Sequence, residues 1–205
     1  MDKSDIINSS LKLFYAKGYN ATSMEDIAED LGIKKASLYY HIKGKQDLLY
    51  EMIKSIGLKL LKDIEQIKES DKSIHEKLAT AFYTYTLTCL KNIEYTAIIH
   101  DEIKALDLEQ RKVIKNTQVN FLNIFKQMIA EELRHGFIVE LDVNILTHIA
   151  LGTCTWGYKW FKHDKEYSPE ELAVIICNFV MKSIYIKEPL CPIETVINFK
   201  SKSPT

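Results

Sequence analysis

The segment from Thr22 to Leu49, TSMEDIAEDLGIKKASLYYHIKGKQDLL, constrains the fold more than any other part of the chain. It reads as two short helices joined by a tight turn, followed by the start of a third. Ser23 is an N-cap, and Asp26 stands three residues on, where its carboxylate can reach back. Met24, Ile27, Ala28 and Leu31 fall on one face at helical spacing. Gly32 ends this helix, as glycine does where the backbone must turn left-handed. A second helix runs from about Lys34 to His41. Its inward residue is Leu38, flanked by Ile33 and Ile42. Its outward residues are Lys34, Lys35, Ser37, Tyr39, Tyr40 and His41. This is a helix-turn-helix whose second helix presents donors and aromatics and has the size of a major groove.

Charge is distributed to match. Ile33 to Lys45 holds four lysines, one histidine and no acid, in a chain whose formal net charge is only -1. The acids Glu25, Asp26, Glu29 and Asp30 all belong to the preceding helix. A local cluster of cations gains binding free energy by releasing counterions from phosphates. Four lysines alone would also fit a solvated helix face. The turn glycine, the cap and the Tyr39–Tyr40 pair point to DNA.

The block GYNATSMEDIAEDLGIKKASLYYHIKGKQDLL resembles the DNA-binding domain of TetR-family transcriptional repressors, and the match runs from about Ile6 to Tyr50. It includes Phe14, Gly18-Tyr19, Asp26-Ile27-Ala28, Leu38-Tyr39-Tyr40-His41 and Lys45. Four positions depart from the family pattern: Lys34 replaces the usual Ser, Ala36 a Gly, Ile42 a Phe, and Gly44 a Ser or Asn. The resemblance implies base reading around Lys35, Ala36 and Ser37. It implies phosphate contacts from Tyr40, His41 and Lys45, with Ser23, Lys34 and Tyr39 also at the interface. It further implies a homodimer on double-stranded operator DNA, an all-α fold, and a C-terminal helical domain for effector binding and dimerisation.

The expected division is a helix-turn-helix domain over 1–47, an effector-binding and dimerisation domain over 48–187, and a tail over 188–205. The first helix spans about Lys3 to Lys17. The fourth, from Lys45 to about Lys68, forms a rod joining head to core. IHEKLATAFYTYTLTCLKNI is apolar almost all round and reads as buried. A short helix, EYTAIIHDEIKAL, follows, then a long amphipathic one stopped by Gly136. Asp142 caps VNILTHIALGTCTWGYKWFK. Ser168-Pro169-Glu170-Glu171 opens the last helix with a cap, a proline and a returning Glu. Both final helices are too apolar to have one wet face. Ile145, Ile149, Gly152, Trp156 and Trp160 form one stripe; Val174, Cys177, Phe179, Met181 and Tyr185 add to it. Such a surplus is what a dimer bundle needs.

An effector site lined by Phe82, Tyr85, Thr86, Tyr95, Phe121, Phe125 and Trp156, with Tyr83 and Tyr158 nearby, would suit a large and mostly apolar small molecule. The segment GTCTWGYKWFKHDKEYSPEEL resembles acyl-CoA-responsive members of the family, which implies a CoA thioester. A multidrug-type hydrophobic cation is the alternative effector, and a helical partner-binding module without DNA binding the alternative function. No catalytic motif is present, so the chain reads as a regulator and not an enzyme, with no cofactor. His100-Asp101-Glu102 cannot converge on one metal ion, because successive helical residues point apart. The four cysteines form no CxxC pair and read as reduced thiols. No apolar run reaches the roughly 20 residues of a membrane span, and the N-terminus has no signal-peptide core. The expected location is cytoplasmic.

Overall fold

The computed structural model describes residues 2–162 and 166–186, so Cys191 and the expected tail lie outside the described residues. Those residues form helices α1 (Lys3–Lys17), α2 (Met24–Asp30), α3 (Lys35–His41), α4 (Lys45–Glu69), α5 (Ile74–Lys91), α6 (Ile93–Glu102), α7 (Leu108–Arg134), α8 (Val143–Thr155) and α9 (Pro169–Ile184). The architecture is all-α. The one β-type pairing among the described residues is an isolated bridge between Ile138 and Tyr185.

Two compact units make up the chain: 1–59 with 92–117, and 60–91 with 118 onward. The cut differs from the expected boundary at 47/48. Burial explains the difference in the first unit. Tyr95 and Ile98 of α6, with Leu106 and Ile114, join the same core as Ile6, Phe14, Ile27, Leu38 and Leu48. The Tyr95 hydroxyl donates to the carbonyls of Met52 and Ile53 at 2.6 and 2.7 Å. So the residues of α6 complete the three-helix head. Helices α4 and α7 each contribute residues to both units.

Local signals set most boundaries. Asp2 caps α1 in a capping box with Asp5, and Ser23 does the same for α2 with Asp26. Ser168 caps α9 reciprocally with Glu171, with proline in the first turn. Each such cap satisfies amides the helix leaves open and contributes about 0.5–2 kcal/mol. Helix α8 is shorter than its apolar run. It tightens at Trp156 into a 3-10 turn that reaches Lys159, so the helix expected to run through Lys162 stops at Thr155.

In the second unit α5 packs on both α8 and α9, and α8 on α9. Phe82, Leu78, Leu90, Phe125 and Ile129 are fully buried there. The segment after α7 runs beside the end of α9, with the Val139 amide on the Ile184 carbonyl at 2.8 Å and the Ile186 amide on the Phe137 carbonyl at 3.0 Å. Tyr185 donates to the buried Glu132 carboxylate at 2.6 Å.

Gly32 holds φ at +65°, and no atom beyond its own chain neighbours lies within 4 Å of where a Cβ would stand. The cost of Gly32→Ala is therefore backbone strain alone, about 1–2 kcal/mol. Chemical denaturation should show a stability loss of that size with an unchanged m-value.

Candidate nucleic-acid interface

Helix α3 has seven residues and one buried side chain, Leu38. Lys34, Lys35, Ala36, Ser37, Tyr39, Tyr40 and His41 are all exposed. Tyr40 is 88% exposed, an unusual position for an aromatic ring. Its ring meets that of His41 edge-on at 5.3 Å. A helix so thinly anchored is held by its neighbours. On one side the α2–α3 turn closes with the Ile33 amide on the Ala28 carbonyl at 2.9 Å. On the other, Ile42 is buried at 1% exposure directly after the helix. Lys34 starts α3 without any side-chain cap, as its chemistry dictates.

Acids and bases of the head pair across helices. Lys35 forms an ion pair with Glu25 of α2, and both side chains remain substantially exposed. Its ammonium also stands 5.8 Å from the Tyr39 ring centroid. Such exposed pairs contribute little stability, so Lys35 is available to exchange partners. Lys17 bonds Asp26 at 3.0 Å, and Ser9 donates to Asp30 at 2.7 Å. The Ser23 hydroxyl and amide, followed by Lys17, hold the Asp26 carboxyl well below the usual carboxylate range. Ser23 itself is exposed at the start of α2.

Lys45 differs from the other expected contacts. It is half-buried. Its Nζ donates to the carbonyls of Tyr19, Asn20 and Thr22 at 2.9, 3.3 and 3.0 Å. An ammonium has three donors, so all of them are engaged within the head.

Comparison with known proteins settles the family. Residues 6–52 match the model of bacterial regulatory proteins of the tetR family, and residues 71–184 match a tetracyclin repressor-like C-terminal domain. The chain is a TetR-family transcriptional regulator. It is 22% identical over 184 residues to the fatty acid metabolism regulator protein of Bacillus subtilis, covering 89% of this chain and 95% of that one. It is 25% identical over 173 residues to the transcriptional repressor KstR2 of Mycolicibacterium smegmatis, covering 83% and 84%. The fold also matches the crystal structure of AibR in complex with isovaleryl coenzyme A and operator DNA, with TM-score 0.76 and 24% identity over 86% of this chain and 96% of AibR. TetR-family regulators are not enzymes. Among the described residues no helix is long and apolar enough to cross a membrane.

The residues expected to meet an effector in this TetR-family chain divide. Tyr85, Phe121 and Phe125 stack in one cluster of the second unit, with ring centroids 5.0 to 6.4 Å apart. Phe82 joins through Phe125 at 5.2 Å. The Tyr85 hydroxyl pairs with Thr155 Oγ1 at 2.5 Å, and burial pushes its ionisation well up. Thr86 is buried and donates to the Phe82 carbonyl at 2.7 Å. Two of the expected residues stand apart from this cluster. Tyr95 belongs to the first unit, where its hydroxyl serves α4 carbonyls. Trp156 is 60% exposed. Periodicity could not separate these cases, since all are aromatic positions on apolar helices.

The expected dimer stripe divides as well. Ile145, Ile149, Gly152, Trp156 and Trp160 are exposed. On α9, Val174, Cys177 and Met181 are buried, whereas Ile175 and Phe179 face outward. Cys177 Sγ lies against the Ala79 carbonyl at 3.4 Å. Burial pushes the Cys154 thiol up to about 12, and the Cys177 thiol is likewise raised. Both stay protonated and unreactive at neutral pH.

Proposed function

We propose that this TetR-family regulator acts as a homodimeric repressor, reads a two-fold operator through α3, and is released by a small, largely apolar effector. The observation that carries the DNA reading is α3 itself, which turns Lys35, Ser37, Tyr39, Tyr40 and His41 outward while burying only Leu38. Lys35 and Ser37 reach base edges; Tyr40 and His41 hold phosphates. Lys35 first gives up its pairing with Glu25. Operator sites are selected from a random duplex library, and binding is compared with unselected DNA. Lys35→Ala should lower discrimination by about 1–3 kcal/mol. Equal losses on operator and unselected DNA would assign Lys35 to the backbone instead.

Ile145, Ile149, Trp156, Trp160, Ile175 and Phe179 supply an apolar area that supports pairing with a second copy. Two heads can then engage half-sites about 34–36 Å apart, or a multiple of that. Phe179, at 65% exposure, is the residue to test. Phe179→Glu should convert a dimer to a folded monomer in light scattering at micromolar concentration, and operator affinity should fall with it. A monomeric wild type would remove the dimer from the proposal.

For the effector, the neutral aromatic cluster of Tyr85, Phe121 and Phe125, with the hydroxyls of Tyr85 and Thr155, supports an acyl chain. The fatty acid metabolism regulator among its relatives, and the isovaleryl coenzyme A in the AibR structure, support an acyl-CoA. Release requires that the ligand bind better to the state that reads DNA poorly. Coupling of the usual size lowers operator affinity about 5–150-fold, and operator weakens ligand binding by the same factor. Acyl-CoAs of graded chain length, titrated against a fluorescent operator complex, should show this, and Phe121→Ala should change the preferred length. Release by hydrophobic cations alone would replace the acyl-CoA assignment and leave the repressor standing.

A further inference from the structure

Of the four acids on α2, only Glu25 pairs with a residue of α3 among the described residues. Its carboxylate accepts a hydrogen bond from the Lys35 ammonium, ten residues along the chain. The Lys35 side chain is 45% exposed and that of Glu25 62%. The Tyr39 ring stands beside them, its centroid 5.8 Å from the ammonium. Asp26 is turned instead to Ser23 and Lys17, and Asp30 to Ser9. The bond from Lys35 lowers the Glu25 carboxyl below its ordinary value and raises the Lys35 ammonium. Both groups are therefore charged at neutral pH, and Glu25 offers acceptors only. One donor and one acceptor thus lie side by side at the exposed edge between α2 and α3.

When Lys35 leaves for a base edge, it removes the cation that neutralises Glu25. A carboxylate left alone beside phosphates is repelled by them, unless it finds a donor of its own. The major groove offers two kinds, the 4-amino group of cytosine and the 6-amino group of adenine. Adenine sets N7, an acceptor, next to its amino group, and a carboxylate is repelled there. Cytosine carries no acceptor on that edge. Guanine shows O6 and N7, two acceptors that suit an ammonium. The two halves of this ion pair therefore match a guanine and a cytosine.

We infer that Glu25 is a specificity-determining residue: on operator DNA the Glu25–Lys35 pair parts, Lys35 donating to a guanine and Glu25 accepting from the 4-amino group of a cytosine in the same or the adjoining base pair. The inference rests on α3 being the reading helix. It separates from a plain counter-charge, because a counter-charge weakens binding to every duplex alike and reads no base.

The test removes single groups from both sides. Sites are selected from a random duplex library. Each cytosine of the selected half-site is then replaced in turn by 2-pyrimidinone, which lacks the 4-amino group and leaves the guanine in place. At one position the wild type should lose about tenfold more affinity than Glu25→Ala does, the worth of a good base contact. Glu25 is exposed and lies outside the Ser23–Asp26 capping box, so this variant should melt like wild type. Lys35→Ala should stay sensitive to the same replacement, since its Glu25 still needs the donor. If no cytosine shows a loss that depends on Glu25, the inference is overturned. It is overturned equally if Glu25→Ala raises affinity for operator and unselected DNA by one common factor. In both cases the wild type still selects a site, so the reading by α3 stands. If the wild type selects no site, the DNA reading falls and this inference with it.

Discussion

A helix of seven residues does not hold itself. Nucleation costs more than so short a ladder of hydrogen bonds returns, and α3 buries only Leu38. Everything that makes α3 a reading helix is therefore borrowed from the rest of the head. Leu38 and Ile42 insert into a core built by Ile6, Phe14, Ile27, Leu48 and Leu49. Helix α6 adds Tyr95 and Ile98 to that core. This need for support explains why a compact head requires residues 92–117 as well as the first 59. It also explains why so many polar groups of the head are tied to each other. The outward face of α3 can be given over to Lys35, Ser37, Tyr39, Tyr40 and His41 because none of them is required to keep the helix folded.

Electrostatics in the head follows from the same division. The acids of α2 are taken up in local pairs: Glu25 with Lys35, Asp26 with Ser23 and Lys17, Asp30 with Ser9. The pair nearest the reading face is also the exposed one, so it stabilises least and exchanges most readily. Lys45 is the opposite case. It is half-buried, with three carbonyl acceptors and the Tyr19 ring around its ammonium. Two lysines of one basic segment thus differ in setting, one in an exposed ion pair and one half-buried against backbone carbonyls.

The second unit combines a buried aromatic cluster with an apolar outer face. Tyr85, Phe121 and Phe125 contact one another through their rings, and the polar ends of Tyr85 and Thr155 pair. Burial pushes the ionisation of the Tyr85 hydroxyl well up. The outer rows of α8 and α9 differ in kind. Their large side chains stand in solvent at more than ordinary exposure for such residues, and covering them with a second copy would recover that burial. The bridge between Ile138 and Tyr185, with the Glu132–Tyr185 hydrogen bond, fixes the end of α9 that carries this face.

The amino-acid sequence by itself determined the all-α class, the helix-turn-helix and most helix boundaries. Ser23 with Asp26, Gly32, and Ser168-Pro169-Glu170-Glu171 all act over three or four residues, so their meaning is complete in one dimension. The exposed character of α3 was legible for the same reason: only Leu38 has an apolar side chain at the right phase. Tertiary structure decided the rest. Cys177 and Phe179 stand two positions apart on an equally apolar helix, and only the packing of α5 sends one inward and the other out. Tyr95 and Tyr85 look alike in sequence, yet one caps carbonyls of α4 and the other stacks on α7. Lys45 reads as one more cation of a basic segment until the fold brings Tyr19, 26 residues away, over its ammonium. Burial and hydrogen-bond partnership are properties of neighbours in space, and residues so distant in sequence become neighbours only when the chain has folded.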